Sequence, residues 1–370
     1  MRNIEIKSSS GIYNAVVGRD ILPKALHQVL QKEPADRVFL LIDENVQKHH
    51  GEHIRNTLLL HAESVEFMMV PQGEMSKSIG FWEKVSDFLL NNGVRRNTPL
   101  VVAGGGVTGD LGGFAASTTL RGLPLIHIPT TILAMVDSSI GGKTGINHKT
   151  GKNLIGAFYK PEAVIADTLF LDTLPRSEWI NGLSEILKYG AIRDASIFEE
   201  AEIFLEEDTA KIDHSTLTNL ISKCIHIKAD IVQKDEFEGD IRAFLNYGHT
   251  FAHALEKESN FDSISHGEAV FLGMLAAGWL SKQYGATLEM NHLDRYKSLY
   301  KYRVLAEDVS IENVMNHMQA DKKRIENHIR FVLLNDWQHP VLKTVKDREL
   351  IKQAWSIILG ELHKNKKQTD

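Results

Sequence analysis

The chain has 370 residues, a length that favours two domains of roughly 100 to 200 residues each. Hydrophobic residues make up 43% and charged residues 24%, a globular composition that argues against fibrous, disordered and membrane classes. The formal net charge of -6 excludes a field that would attract nucleic acid or an anionic membrane, so anions must be bound by local clusters of Lys and Arg.

The single cysteine and the N-terminal sequence favour a cytoplasmic protein. Cys224 cannot form an intramolecular disulfide, and the first residues lack the apolar core of a signal peptide. The longest apolar run, residues 269–280, is shorter than the about 20 residues that cross a bilayer, so we expect a buried helix there. Cys224 lies in a segment with helical apolar spacing and is interpreted as a core residue.

The first half alternates strand-like and helix-like segments, which is typical of parallel βαβ units. Amphipathic spacing predicts helices at residues 77–92 and 108–118. Short apolar runs predict buried strands at residues 37–43, 64–70, 99–103, 123–128 and 163–167. We therefore expect an α/β domain over residues 1–175 with a mostly parallel, Rossmann-like sheet.

From about residue 175 onward the apolar periodicity is almost entirely helical. Helices are predicted at residues 178–189, 216–234, 244–258 and 266–284, and one late strand at residues 329–334. This pattern predicts an all-α domain over residues 176–370. A cleft between two such domains is the default place for a small-molecule site.

A glycine-rich turn follows the third predicted strand. Gly104-Gly-Gly-Val-Thr-Gly109 satisfies G-x-G-x-x-G and precedes a predicted helix, whose amides and dipole would bind a pyrophosphate. The usual dinucleotide fingerprint lies in the first βαβ unit and has an acidic residue about 20 positions later, and neither condition holds here. Asp43, at the end of an earlier strand, could supply the ribose contact instead. A tight turn without a ligand is the alternative.

A second glycine-rich segment, Asp137-Ser-Ser-Ile-Gly-Gly-Lys-Thr144, ends like a Walker A loop. Asp137 stands where that loop needs its first glycine, so a P-loop nucleotidase is rejected. Lys143 in a glycine-rich turn, with Lys152 and Asn153 after another glycine, could bind an anion such as a phosphorylated substrate. Solvated loop lysines are the alternative.

The helical half contains residues typical of a catalytic zinc site, which has two histidines, one carboxylate and an open position. Glu185, His249 and His266 are candidates, and His253 lies one turn after His249, so either histidine or both could reach a metal. Because the chain has 17 histidines, satisfied surface or core groups are the alternative. Nearby Lys188, Arg242 and Asn246 favour a site.

Together these segments resemble the 3-dehydroquinate synthase family over most of the chain and in the same order. The motifs that carry this resemblance are Gly73-Glu-Met-Ser-Lys77, Gly104-Gly-Gly-Val-Thr-Gly-Asp-Leu-Gly-Gly-Phe114, Pro129-Thr-Thr131, Asp137 to Asn147, Gly151-Lys-Asn153, Glu185-Ile-Leu-Lys-Tyr189, Arg242, Asn246, Gly248-His-Thr250, His253, His266-Gly-Glu268 and Asp321-Lys-Lys323. The 117–119 segment departs from the family, which commonly has an aromatic before Leu-Arg-Gly. The tail after Leu334 lacks the family's usual glycine.

The resemblance implies an NAD- and zinc-dependent lyase, with cobalt as an alternative metal, that acts as a homodimer. Its substrate would be 3-deoxy-D-arabino-heptulosonate 7-phosphate, converted to 3-dehydroquinate by transient oxidation, phosphate elimination, re-reduction and aldol closure. Such an enzyme belongs to the shikimate pathway of aromatic amino acid biosynthesis.

The resemblance also assigns residues, with Glu185, His249 and His266 as metal ligands and Arg121 as a residue lent across a dimer interface. The residues implied to bind NAD are Asp43, Glu74, Lys77, Gly105, Gly106, Val107, Thr108, Gly109, Asp110, Thr130, Thr131, Lys143, Lys152, Phe170, Leu171, Asp172, Thr173 and Glu178. Those implied to line the substrate pocket are Asp137, Lys143, Lys152, Asn153, Lys188, Lys228, Glu238, Arg242, Asn246, His253 and Lys322.

Three other functions fit parts of the sequence. A zinc- or iron-dependent alcohol or glycerol dehydrogenase shares the architecture and the glycine turn but needs no phosphate pocket. A sister cyclase would act on glucose 6-phosphate or sedoheptulose 7-phosphate, although Lys143, Arg242 and Asn246 fit a carboxylate-bearing substrate better. A non-catalytic binding protein would have lost some of these residues, yet every expected position is occupied.

Overall fold

The structure, a computed structural model, describes residues 1–30, 35–259, 263–321 and 329–369. The chain divides into two compact units. The first comprises Met1–Trp179 and Thr209–Glu236, and the second comprises Ile180–Asp208 and Phe237–Asp370. Within the described residues, no helix combines the length and the hydropathy that crossing a bilayer requires.

A seven-stranded, mostly parallel sheet forms the centre of the first unit, as predicted. The strands of this unit are β1 (Arg2–Ser8), β2 (Gly11–Gly18), β3 (Ala35–Asp43), β4 (Ala62–Val70), β5 (Leu100–Gly104), β6 (Leu125–Pro129), β7 (Lys143–His148), β8 (Gly151–Phe158) and β9 (Ala163–Asp167). The large sheet has the order β1-β2-β9-β6-β5-β3-β4, and only β1 and β2 pair antiparallel. The five predicted strands are confirmed as β3, β4, β5, β6 and β9.

Two hairpins of this unit were not predicted. β1 and β2 form the edge of the large sheet, and β1 buries only alternate residues, Ile4 and Ile6. An edge strand of this kind lacks the continuous apolar run that identifies a strand buried on both faces. β7 and β8 form a separate antiparallel pair, so Lys143 begins a strand and does not lie in the turn that was predicted for it.

Helices cover both faces of the large sheet. They are α1 (Leu22–Leu30), α2 (Glu44–Leu59), α3 (Ile79–Asn91) and α4 (Gly106–Thr118). Side chains alternate along β3, so Leu40 packs with α1 and α2, whereas Leu41 packs with α3 and α4. Burying each such aliphatic side chain stabilises the fold by about 1.5–3 kcal/mol.

The remaining helices are α5 (Arg176–Ile192), α6 (Ser196–Glu200), α7 (His214–Lys234), α8 (His249–Glu258), α9 (His266–Gln283), α10 (Asn291–Asp294), α11 (Ile311–Asp321) and α12 (Arg348–Thr369). α7 packs against β1 and β2 and belongs to the first unit, whereas the division at residue 175 assigned it to the second. Cys224, on α7, is fully buried, as expected for a core residue.

In its described residues the second unit is mainly helical and contains one hairpin, β10 (Ile329–Asp336) and β11 (His339–Val345). β10 confirms the predicted late strand. The prediction of one helix over residues 244–258 is wrong in its first part, because Ile241–Asn246 is a 3-10 helix and α8 begins only at His249.

Gly248 explains the break before α8. Its φ of 82° lies in the left-handed region, and a Cβ there would lie 2.9 Å from the amide of Met274 on α9. The chain therefore turns sharply at Gly248, where α8 and α9 come into close contact. This turn is what places His249 at the start of a helix.

Candidate active site

Several of the residues predicted to bind NAD lie at one edge of the large sheet. β9, β6, β5 and β3 are adjacent and parallel, so their carboxyl ends lie side by side. Asp43 ends β3, the glycine turn follows β5, Thr130 follows β6, and Phe170 to Thr173 lie in the 3-10 segment after β9. In open α/β sheets, the carboxyl edge is where nucleotides bind.

The glycine turn leads directly into α4, as its motif predicted. Gly105 is the N-cap and has no side chain with which to cap the first turn. The amides of that turn are therefore available for an anion, with the positive end of the helix dipole behind them. Beside the turn, the buried hydroxyl of Thr130 makes no hydrogen bond to any described residue, which fits a polar ligand because buried hydroxyls are usually paired.

Two acidic residues of this edge already have protein partners. Asp43 caps α2 by accepting hydrogen bonds from the amides of Asn45 at 2.8 Å and Val46 at 3.4 Å, and burial raises the pKa of its carboxyl. Asp172 forms a two-pronged ion pair with Arg19, at 2.9 and 2.7 Å, and the Arg19 hydrogen bonds lower its pKa. Both carboxylates therefore make structural contacts at this edge of the sheet, independently of any ligand.

Glu74, Lys77 and Asp110 take part in two sets of polar contacts near the end of β4. Lys77, buried in the segment after β4, forms an ion pair with Asp110 of α4. Glu74 accepts a hydrogen bond at 2.7 Å from Asn147 of β7, and Asn147 in turn accepts one at 3.0 Å from the amide of Asn153 on β8. The β7–β8 hairpin, which carries Lys143 and Lys152, is thereby tied to the segment after β4.

Asp137 and Lys228 form an ion pair that the sequence could not place. The ammonium of Lys228, on α7, lies 2.9 Å from the Asp137 carboxylate and donates to the Asp137 carbonyl at 2.7 Å. Asp137 lies in the π-helical turn Ala134–Ser138, and Ser138 contacts the glycine turn, since a Cβ at Gly106 would lie 3.2 Å from its hydroxyl. Two predicted substrate residues thus lie beside the predicted nucleotide turn.

The second unit brings together the three predicted metal ligands. The nearest nitrogens of His249 and His266, both Nε2, lie 3.3 and 3.4 Å from the same oxygen of the buried Glu185 carboxylate. One potential ligand atom from each residue lies within 4.8 Å of the others. The three side chains therefore lie close enough together to hold one metal ion.

These separations fit a tetrahedral zinc ion. Ligands at about 2.0–2.1 Å from a tetrahedral metal are separated from one another by about 3.3–3.4 Å. The donor set of two imidazoles and one carboxylate leaves a fourth position for water or substrate, as in catalytic zinc sites. A divalent ion would also compensate for the burial of the Glu185 carboxylate, whose described charged neighbours are Lys188 and the two histidines.

Other predicted residues of this unit lie near the three ligands or near each other. Lys188, one turn after Glu185, is buried and forms an ion pair with it. The His253 ring lies 5.6 Å from that of His249 but is exposed, and it does not join the three ligands. The Asn246 side-chain amide donates a hydrogen bond to Glu238 at 3.0 Å. Arg242, four residues from each of them in the sequence, is buried.

Arg121, Glu178 and Lys322 complete the set of predicted site residues. Arg121 is exposed and ends a 3-10 segment with a positive φ of 68°. Glu178 lies in the first turn of α5. Lys322 lies outside the described residues.

Comparisons with known proteins decide the family. The N-terminal model of the 3-dehydroquinate synthases matches residues 67–181, and the C-terminal model matches residues 182–324. The chain belongs to the 3-dehydroquinate synthase family. A curated 3-dehydroquinate synthase of Salinibacter ruber is 44% identical over 301 residues, covering 81% of this chain and 82% of its own. That of Nitrosospira multiformis is 42% identical over 329 residues, covering 88% of both.

Solved structures agree with this family assignment. The 2-epi-5-epi-valiolone synthase of Streptomyces hygroscopicus, with NAD+ and Zn2+ bound, has a TM-score of 0.83 at 26% identity and covers 97% of this chain and 99% of its own. A glycerol dehydrogenase of Schizosaccharomyces pombe shares the fold, with a TM-score of 0.65 at 16% identity over 96% of this chain and 91% of its own. The dehydrogenase likeness therefore concerns the fold alone.

In this member of the 3-dehydroquinate synthase family, the sequence did not identify the groups that contact the second ring nitrogen of each candidate ligand histidine. Nδ1 of His249 lies 3.2 Å from the carbonyl of Tyr247, and Nδ1 of His266 lies 3.4 Å from the carboxylate of Glu256. Glu256 follows His249 by seven residues, two turns along α8, a helical spacing that could have identified it.

Proposed function

We propose that this protein is a 3-dehydroquinate synthase. It converts 3-deoxy-D-arabino-heptulosonate 7-phosphate into 3-dehydroquinate and phosphate, and so is a carbon–oxygen lyase of the shikimate pathway. The observation that carries this proposal is the match to both halves of the family together with 42–44% identity to curated 3-dehydroquinate synthases over most of the chain. The clustered triad Glu185, His249 and His266 supports it chemically.

The metal is assigned to Glu185, His249 and His266, as zinc or cobalt. A valiolone synthase of similar structure was solved with Zn2+, and a 2-deoxy-scyllo-inosose synthase with Co2+. When bound, such an ion polarises a substrate hydroxyl and makes its proton easier to remove. Glu185 and the two imidazoles would supply the three protein ligands. Lys188 forms an ion pair with Oε2 of Glu185, whereas the histidines face Oε1.

NAD is assigned to the carboxyl edge of β3, β5, β6 and β9. The cofactor supplies the hydride chemistry, by accepting a hydride from the substrate and later returning it, so the reaction has no net redox change. The chain's own part is to bind: the first-turn amides of α4 would hold the pyrophosphate, and the Thr130 hydroxyl is positioned for a polar group of the ligand.

The substrate is an anion with a phosphate and a carboxylate, and the chain offers basic groups for both. In the first unit these are Lys143 and Lys152 on the β7–β8 hairpin, and Lys228 on α7. In the second unit they are Lys188 and Arg242. Charge-assisted hydrogen bonds from such groups are stronger than neutral ones, and they would allow an acidic protein to bind this anion.

Contacts between proposed substrate residues would fix their orientation. Lys228 holds Asp137 by both its carboxylate and its carbonyl, which leaves the Asp137 turn fixed beside Gly106. Glu238, with a left-handed φ of 63°, accepts the Asn246 amide. Strained backbone of this kind is retained where a side chain must be aimed, which supports the substrate role proposed for this pair.

We also propose a cytoplasmic homodimer. Arg121 supports it, because this residue is exposed and both it and Leu120 have left-handed φ values, of 68° and 50°, a strained backbone that is retained where a side chain must be aimed. A second copy of the chain would be its partner. The single cysteine, Cys224, which cannot form an intramolecular disulfide, supports the location.

One assay tests the activity. Purified protein is incubated with the heptulosonate phosphate, NAD and zinc, while released phosphate and net NADH are measured in the same sample. We expect phosphate release in many turnovers without net NADH. Net NADH from a simple alcohol without phosphate release would select a dehydrogenase, and turnover only of glucose 6-phosphate or sedoheptulose 7-phosphate would select a sister cyclase.

A further inference from the structure

Glu256 is a buried acid that no step so far uses. It lies on α8, two turns after the ligand His249, and only 4% of its surface is exposed. A carboxylate this deeply buried is costly unless a charged or hydrogen-bonding group compensates for it. One group that faces it is the imidazole of His266, whose Nδ1 lies 3.4 Å from the Glu256 Oε1.

The two nitrogens of His266 have different carboxylate neighbours. Nδ1 faces Glu256 and Nε2 faces Glu185, each at 3.4 Å. If Nδ1 donates its hydrogen to Glu256, the lone pair of Nε2 points to the space shared with Glu185 and His249. The hydrogen bond on one ring nitrogen therefore determines which nitrogen can bind a metal.

We propose that Glu256 is a positioning residue for the metal: it fixes the tautomer and the ring orientation of His266 so that Nε2 is the ligand. This inference rests on the proposed function, because it requires the ion assigned to Glu185, His249 and His266. His249 is oriented differently, by the carbonyl of Tyr247 at 3.2 Å. A carboxylate behind a ligand histidine also makes the imidazole more basic, which a carbonyl does more weakly.

Glu258 offers a matched control on the same helix. Its carboxylate accepts hydrogen bonds from His317 at 3.1 Å, from Asn313 at 3.0 Å and from the amide of Ser310 at 3.2 Å. Glu258 and His317 therefore form a second carboxylate–imidazole pair that involves α8, but His317 is not one of the three candidate metal ligands. If zinc affinity falls only because α8 is destabilised, variants of Glu256 and Glu258 should both show the fall. If it falls because His266 is no longer oriented, only variants of Glu256 should show it.

The experiment measures zinc affinity by competition with a chelator of known affinity, in the full-length chain, for wild type, Glu256→Gln, Glu256→Ala, Glu258→Gln and Glu185→Ala. The absorption spectrum of the cobalt-loaded protein gives a second readout, because it reports the geometry of the ligands. We expect Glu256→Ala to weaken zinc binding by about 10- to 100-fold and to change the cobalt spectrum. Glu256→Gln, which keeps an acceptor oxygen, should lose less, and Glu258→Gln should bind zinc like wild type.

The outcomes separate this inference from the proposed function. If Glu185→Ala loses zinc while both Glu256 variants keep wild-type affinity and spectrum, the role of Glu256 is overturned and the metal site stands. If Glu258→Gln weakens zinc binding as much as Glu256→Gln does, the effect is structural and the role is again overturned. If Glu185→Ala binds zinc undiminished, the metal assignment itself fails, and this inference fails with it.

Discussion

The backbone amide of Gly267 donates a hydrogen bond of 2.6 Å to the side-chain oxygen of Asn181. This contact joins the first turn of α9 to α5, one turn before Glu185. A second contact reinforces it, because the Ser184 hydroxyl donates to the Gly267 carbonyl at 2.6 Å. The spacing between His266 and Glu185 is therefore set by how closely the two helices approach at Gly267.

Gly267→Ala tests this close approach, because the added Cβ would lie 2.1 Å from the carbonyl oxygen of Asn181. Overpacking of this kind costs about 1–3 kcal/mol, and the shift should also weaken zinc binding. Urea denaturation and zinc content measure the two effects. The control is Gly360→Ala in α12, where an added Cβ has no neighbour within 4 Å. It should raise stability slightly and leave zinc content unchanged; equal behaviour of the two variants would contradict the account.

Zinc binding to the metal-free protein should release about one proton near neutral pH. Burial acts to lower the pKa of His266, but hydrogen bonds with Glu185 and Glu256 outweigh it and raise the pKa to about 10, so this imidazole is charged without metal. Burial lowers the pKa of His249, which is therefore neutral. A ligand imidazole must be neutral, so zinc displaces the His266 proton and affinity rises with pH. Calorimetry in buffers of different ionisation enthalpy measures the proton, and a buffer-independent enthalpy would refute the prediction.

His127 should make stability fall in mild acid. Burial lowers the pKa of this residue of β6 from 6.5 to about 4. Between these values the unfolded chain binds a proton that the folded chain does not, so stability is complete above pH 6.5 and declines as the pH falls towards 4. At pH 5 the loss is about 2 kcal/mol. Urea denaturation at pH 7.5 and 5.0 should show this loss reduced in His127→Gln; an identical pH dependence in both proteins would argue against it.

Lys152→Ala should lower turnover by orders of magnitude and leave the zinc content unchanged. Lys152 lies on β8, outside the unit that carries the three metal ligands, and its proposed partner is the substrate anion. Lys149→Ala, at an exposed position of the same hairpin, is the control and should keep its activity. Phosphate release and zinc content are measured for both. Near-normal turnover of Lys152→Ala would remove Lys152 from the substrate site.

The sequence indicated the buried parallel strands of the fold because their signal is local. Continuous apolar runs marked β3, β5, β6 and β9, and the glycine turn after β5 was visible as a motif. It did not indicate the β1–β2 hairpin, in which the edge strand β1 buries only the alternate residues Ile4 and Ile6. Nor did it indicate the break at Gly248, which depends on the approach of α8 to α9.

For the site, the sequence by itself determined the chemical inventory: which acids, imidazoles and ammonium groups exist, and in which helix or strand each lies. The spacing of residues could not choose between His249 and His253, because both lie on one face of α8, and the choice came from resemblance. Only the tertiary structure decided that His249 joins Glu185 and His266, and that Glu256 faces the last of these. Residues far apart in the chain meet through the packing of α5, α8 and α9, and packing depends on every side chain between the helices rather than on any local pattern.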